Sequence, residues 1–151
     1  MTSFKSALYL ILLTLVVAWP ISAVQAGASS SELHVEAVLI WGAKNQPAGK
    51  KLKPASSELQ AKLRKTLKWE HYYEINDKSF RLSGLKSRRV RMSNKCEVEV
   101  KRVAQADVIV KLIGEGKVVV NRRQSLEKDD SVVLGGPCEN QSAWFVVLRF
   151  K

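Results

Sequence analysis

The chain is poor in the residues from which most catalytic and metal centres are built. It holds two histidines and two cysteines in 151 residues, and neither an H-E-x-x-H nor a C-x-x-C spacing occurs. Zinc sites recur on such spacings because neighbouring ligands must reach one ion together. Familiar nucleophile signatures are missing as well: there is no G-x-S-x-G and no glycine-rich phosphate loop. These absences argue against hydrolytic, phosphoryl-transfer and metal-assisted chemistry, so the expectation is a non-enzymatic protein without metal or cofactor. Acids are scarce too, 14 against 25 Lys and Arg, for a formal net charge of +11.

Long apolar runs are absent except at the start. Lys5 precedes Ala7 to Trp19, in which Tyr9 and Thr14 carry the only hydroxyls; Pro20 ends the run, and Val24-Gln25-Ala26 follow. This is the layout of a secretory signal peptide over residues 1–26, with cleavage after Ala26. The run is too short to anchor the chain stably across a bilayer. The expected location is secreted or periplasmic, and no transmembrane segment is expected in the mature chain. Residues 27–32 read as a flexible leader and 33–151 as one domain with one core. In an oxidising compartment an even pair of cysteines usually forms one bridge. Cys96 and Cys138 are therefore expected to be joined, closing a loop worth about 4 kcal/mol. Two free thiols are the alternative, since sequence does not show their separation.

What the chain does have is alternation. Leu33 to Trp41 reads as a strand that begins half-exposed at His34 and Glu36 and ends apolar on both faces. Gly42 to Pro54 is a loop. Ser56 or Ser57 can cap a helix over about 56–67, with Leu59, Leu63 and Leu67 on one face. After it the period becomes two. Trp69, His71, Tyr73 and Ile75 point one way, Asn76-Asp77 makes a turn, and Phe80 and Leu82 return. Shorter strands follow at Val90–Met92, Cys96–Lys101, Val108–Ile113, Val118–Val120, Ser131–Leu134 and Ala143–Phe150, with a hairpin at Gly114-Glu115-Gly116-Lys117. The fold class is mainly β: a single antiparallel β-sandwich or small barrel of about 8–9 strands with one short amphipathic helix after the first strand. The first and last strands, apolar on both faces, should be central.

Three polar clusters invite a chemical reading. His34 and Glu36 share a strand face but lack a third ligand. Glu70, His71 and Glu74 lie among Trp69, Tyr72 and Tyr73, yet the two glutamates are roughly 13 Å apart by strand rise, wider than paired glycosidase carboxylates. Glu97 and Glu99 face Lys111 across a strand pair and are explained by ion pairing. Asn140-Gln141-Ser142 matches a glycosylation sequon, a match frequent by chance.

Charge is the stronger lead. Residues 42–68 hold eight Lys or Arg against Glu58 alone, and residues 78–95 hold seven and no acid. Candidate anion-binding residues are Lys50, Lys51, Lys53, Lys62, Arg64, Lys65 and Lys68 from the first segment and Arg81, Lys86, Arg88, Arg89 and Arg91 from the second. If the segments meet, they form a cationic surface for an anionic polymer, a lipid head group or an acidic protein surface. No specific nucleic-acid motif is present. The competing account is that these charges guard strand edges and maintain solubility. Val-Leu-Ile-Trp-Gly (38–42), Trp69 through Ile75, the Cys96-Glu-Val-Glu-Val run and Ala-Trp-Phe-Val-Val-Leu (143–148) resemble short uncharacterised exported bacterial proteins. That resemblance implies an envelope or extracellular location and brings no activity. The expected function is thus a non-enzymatic exported β domain that binds an anionic partner. The alternatives are an interaction or structural subunit of an envelope assembly using strand addition, and a hydrolase or sugar-active enzyme centred on Glu70, His71 and Glu74.

Overall fold

Strand β1 (Leu33–Ala43) buries both its faces, and this decides the architecture. Leu33, Val35, Ala37 and Leu39 point into one apolar cluster, Val38 and Ile40 into another. A strand apolar on both sides must be covered on both sides. The computed structural model describes residues 32–49, 51–127, 131–139 and 141–151, and in it the covers are a second sheet and a helix.

After β1 come β2 (Lys53–Pro54), α1 (Ser57–Arg64), β3 (His71–Leu82), β4 (Ser87–Ser93), β5 (Cys96–Ala104), β6 (Asp107–Gly114), β7 (Lys117–Ser125), β8 (Ser131–Glu139) and β9 (Ser142–Phe150). They form a five-stranded sheet in the order β2-β3-β1-β9-β8 and a four-stranded meander, β4-β5-β6-β7. Pairing is antiparallel throughout. The sheets do not close on themselves; the molecule is a β-sandwich rather than a barrel. The first and last long strands, β1 and β9, are central neighbours, as their two-sided apolar sequences require.

The main core lies between the sheets, where Phe80, Leu82, Val146, Leu148 and Phe150 meet Met92, Val98, Val100, Val110 and Leu112. The second cluster lies on the outside of the five-stranded sheet. There Leu59 and Leu63 of α1, 4% and 1% exposed, cover Val38, Ile40, Tyr72, Phe145 and Val147. Each such leucine contributes roughly 1.5–3 kcal/mol by leaving water. The Ser56 side chain accepts from the Leu59 N–H at 3.3 Å and caps the helix, whose first turn carries Glu58 and whose last turn carries Lys62 and Arg64. The molecule is therefore layered: helix, five-stranded sheet, four-stranded sheet.

One expectation is corrected. Asn76 and Asp77 do not turn the chain; β3 runs straight through them. Asn76 stands opposite Leu39 and Glu74 opposite Ile40, so Ile75 is an extra, bulged residue. A bulge reverses which face the following residues occupy. Tyr72 thus packs under the helix while Phe80 and Leu82 enter the inter-sheet core. Hydrophobic alternation that changes phase mimics a turn in sequence. Among the described residues Cys96 is a buried thiol without a bridge; the Cys138 side chain, which the expected bridge needs, lies outside them. Burial, with the nearby Glu97 charge, pushes the Cys96 thiol up to about 11. The expected signal peptide also lies outside the described residues, and among those described no helix is long and apolar enough to cross a membrane.

Candidate functional site

The layering separates the candidate cations. Lys62, Arg64, Lys65 and Lys68 belong to α1 and the turn after it, outside the five-stranded sheet. Arg89 and Arg91 pair across β5 with Glu99 and Glu97. They alternate with Val90 and Met92, which face the core, so they occupy the outside of the other sheet. The two basic segments do not merge into one surface at these residues.

Their electrostatics differ as well. Arg89 donates to Glu99 Oε2 from Nε and Nη2 at 3.1 and 2.9 Å, and Lys111 donates to Glu99 Oε1 at 3.2 Å. Arg91 donates to Glu97 Oε1 at 3.2 Å. Register causes this: Arg89, Glu99 and Lys111 stand directly opposite one another on β4, β5 and β6. The hydrogen bonds from Arg89 and Lys111 hold the Glu99 carboxyl below its ordinary value. Arg81 pairs with Glu32 at 3.3 Å, and the Arg88 guanidinium lies 5.9 Å from the Phe80 ring centre. Lys86 is exposed in the β3–β4 connection.

On the helix side, Lys53 donates to Glu74 at 2.6 Å, which raises the Lys53 pKa. Lys62 donates to Ser131 Oγ on β8. Arg64 donates to Gln60 Oε1 and to the Glu70 carbonyl at 3.2 and 3.1 Å, tying the helix end to the approach of β3. Lys51, Lys65 and Lys68 are exposed, and none has an ion pair among the described residues. Lys50 lies outside the described residues. Within the helix Glu58 is the sole acid, against Lys62 and Arg64 in its last turn.

The polar clusters resolve into structural roles. Glu74 is bound to Lys53, and the His71 ring stacks on Tyr73 with centres 6.3 Å apart. Glu36 lies 3.8 and 3.5 Å from Arg149 and Lys151, close to the chain end. Among the described residues, no three His, Cys, Asp or Glu side chains gather as metal ligands.

Sequence reasoning missed a cleft. It opens between the sheets at the end where β1 finishes and β9 begins, and Trp41, Ile75, Val119 and Trp144 line it. One signal was available at Val119, which stands between Val118 and Val120 where alternation would place a polar residue; residues that break a pattern often mark bulges.

The fold and the charge distribution define a two-layer antiparallel β-sandwich with a cationic helix packed on one outer face and a self-paired ion ladder on the other. Compared with family models, curated proteins and solved structures, the chain finds no match.

Proposed function

We propose that this chain is an exported, non-catalytic binding module that holds a polyanion on its helix side. The observation that carries the reading is a pair of exposed lysines at the C-terminal end of α1 that no ion pair neutralises among the described residues. Lys65 and Lys68 stand exposed and without ion pairs among the described residues, beside Lys62 and Arg64, with Glu58 the only acid in the helix. Unpaired surface cations retain their field, whereas paired ones cancel it within a few ångströms. This narrows the candidate surface to Lys51, Lys65 and Lys68, with Arg64 beside them, and leaves Arg89 and Arg91 to the sheet. Export rests on the sequence of residues 1–26, and the non-catalytic reading on the missing motifs.

Heparin, a sulfated polymer without base edges, is the first probe. Binding should weaken steeply between about 50 and 200 mM salt, because polyanion contacts release counterions. Lys65→Glu/Lys68→Glu should abolish it, and Arg89→Glu/Arg91→Glu should weaken it far less. Salt-insensitive binding, or equal loss in both double variants, would refute the reading. Preference for anionic vesicles or for an acidic protein over heparin would redirect it to those partners.

The runner-up is an assembly subunit that adds a strand at β7, favoured by one observation. On that edge strand Val118 and Val119 are 58% and 41% exposed. A monomer at high concentration by sedimentation, with nothing cross-linked in its native envelope, would remove it.

A further inference from the structure

Trp41 and Trp144 stand opposite each other on β1 and β9, and both line a cleft of about 440 Å³. That volume falls within the range of small-molecule sites. Both sheets build its walls: Leu39, Trp41 and Ile75 come from the five-stranded sheet, Cys96 and Val119 from the other.

Several features converge on this end of the sandwich. The β1–β3, β6–β7, β8–β9 and β4–β5 pairings all slip register there, at Leu39/Ile40, Leu112/Ile113, Gly135/Cys138 and Arg91/Ser93. The extra residues of the first two slips are Ile75 and Val119, and both line the cleft while staying 46% and 41% exposed. Bulges re-aim side chains beside sites and rims. Trp144 needs two glycines to fit. A Cβ on Gly136 would collide with its indole, and one on Gly114 would come within 3.2 Å of it. Gly136 belongs to the same sheet as Trp144 and Gly114 to the other, so the indole is wedged between them.

The lining specifies the occupant. Its lining is mostly hydrocarbon, indole and the Cys96 thiol, with the hydroxyls of Ser93 and Ser142 and the charges of Lys95 and Glu115 as its polar side chains. The mouth has a charged end. Lys95 lies 3.1 Å from Glu115, with side chains 80% and 71% exposed. Lys95 is the cation that the lining offers, and a pair so exposed can exchange its glutamate for an anionic head. We propose that the cleft binds a single-chain anionic amphiphile, with its hydrocarbon chain against Trp41, Trp144, Ile75 and Val119 and its carboxylate or phosphate head on Lys95. The ligand head replaces Glu115 as the partner of Lys95. This site is separate from the polyanion face on α1 and does not depend on it.

The test is quenching of tryptophan fluorescence by 12-bromododecanoic acid and, as a neutral control, 12-bromododecanol. Both should quench saturably at one site, the acid binding about threefold more tightly, as for a partly exposed ion pair. Ile75→Asn and Val119→Asn change exposed positions and leave the core intact. Each should weaken both probes about tenfold, because a polar group would be desolvated without a partner. Lys95→Ala should erase the difference between acid and alcohol, while Lys65→Glu/Lys68→Glu should leave both affinities unchanged. Phosphate- and carboxylate-headed chains of equal length then distinguish the two sources of negative charge. Non-saturating quenching, binding unaltered in the rim variants, equal affinity for acid and alcohol, or displacement by maltohexaose would each overturn the proposal.

Discussion

On one outer face of the sandwich, Val38, Ile40, Tyr72, Phe145 and Val147 present an apolar surface that α1 covers with Leu59 and Leu63. On the other, Arg91, Glu97, Arg89, Glu99 and Lys111 cross the sheet as a ladder of paired charges that needs no cover. Both faces draw on the chain's excess of Lys and Arg, yet their electrostatics diverge. A strand places an opposite residue across from each cation, and β5 supplies glutamates at those positions. Past the end of the helix no strand sets an acid opposite Lys65 and Lys68, and neither has an ion pair among the described residues. Segment charge alone therefore does not predict where an anion can bind; the neighbours imposed by secondary structure do.

The sharpest way to break this contrast is to remove the cover. Leu63→Ala empties a site that is 1% exposed, and should cost about 2–4 kcal/mol in urea unfolding. A cost below about 1 kcal/mol would mean that the helix is a loose appendage rather than half of a second core. Ser56→Ala tests the same attachment more gently. Losing the acceptor for the Leu59 N–H should cost about 1 kcal/mol without altering the sheet. An unchanged melting curve would show that packing alone holds the helix start.

Glu99→Gln examines the opposite face, and its signature is a pH dependence. The carboxyl is held below its ordinary value of 4.5, so the unfolded chain binds its proton more readily than the folded one. Stability from this group is therefore present above that ordinary value and disappears as pH falls through the depressed one. At neutral pH the substitution should cost up to about 1 kcal/mol, and it should flatten the loss of stability between about pH 5 and 3. Parallel acid titrations of the two proteins would contradict the ladder.

Much of this arrangement was legible in residues. An antiparallel β-sandwich or small barrel followed from alternation at Cys96 to Lys101 and from the two-sided apolar strands at either end of the domain; that the two sheets stay open is visible only in their strand order. The cross-strand role of Glu99 followed from facing Lys111. What escaped was everything that depends on a slip of one residue. Ile75 and Val119 bulge because the outer strands must fit a twisted neighbour, and that need arises only once the sheets are assembled. Asn76-Asp77 carries turn chemistry, but its strand is held by pairing along nearly the whole of β1. The contrast between the basic segments was hidden for a related reason: the acids that neutralise Arg89 and Arg91 lie outside their own segment and reach them through register.

The smallest expected effect is also the most discriminating. Arg91 pairs with Glu97 at 3.2 Å, but its side chain is 70% exposed, whereas Glu99 is 17% exposed and accepts from two cations. Water screens the first pair, and holding a long arginine side chain in place costs entropy. Arg91→Ala should thus change stability by no more than about 0.5 kcal/mol, within the range of ordinary surface substitutions. Arg89→Ala should cost more, because it removes the hydrogen bonds that keep Glu99 ionised. The double variant should lose the sum of the two, since Arg91 reaches Glu97 while Arg89 serves chiefly Glu99. A coupling above about 0.5 kcal/mol in that cycle would show the ladder acting as one cooperative unit, and the four-stranded face would then be held by charge as firmly as its counterpart is by leucine.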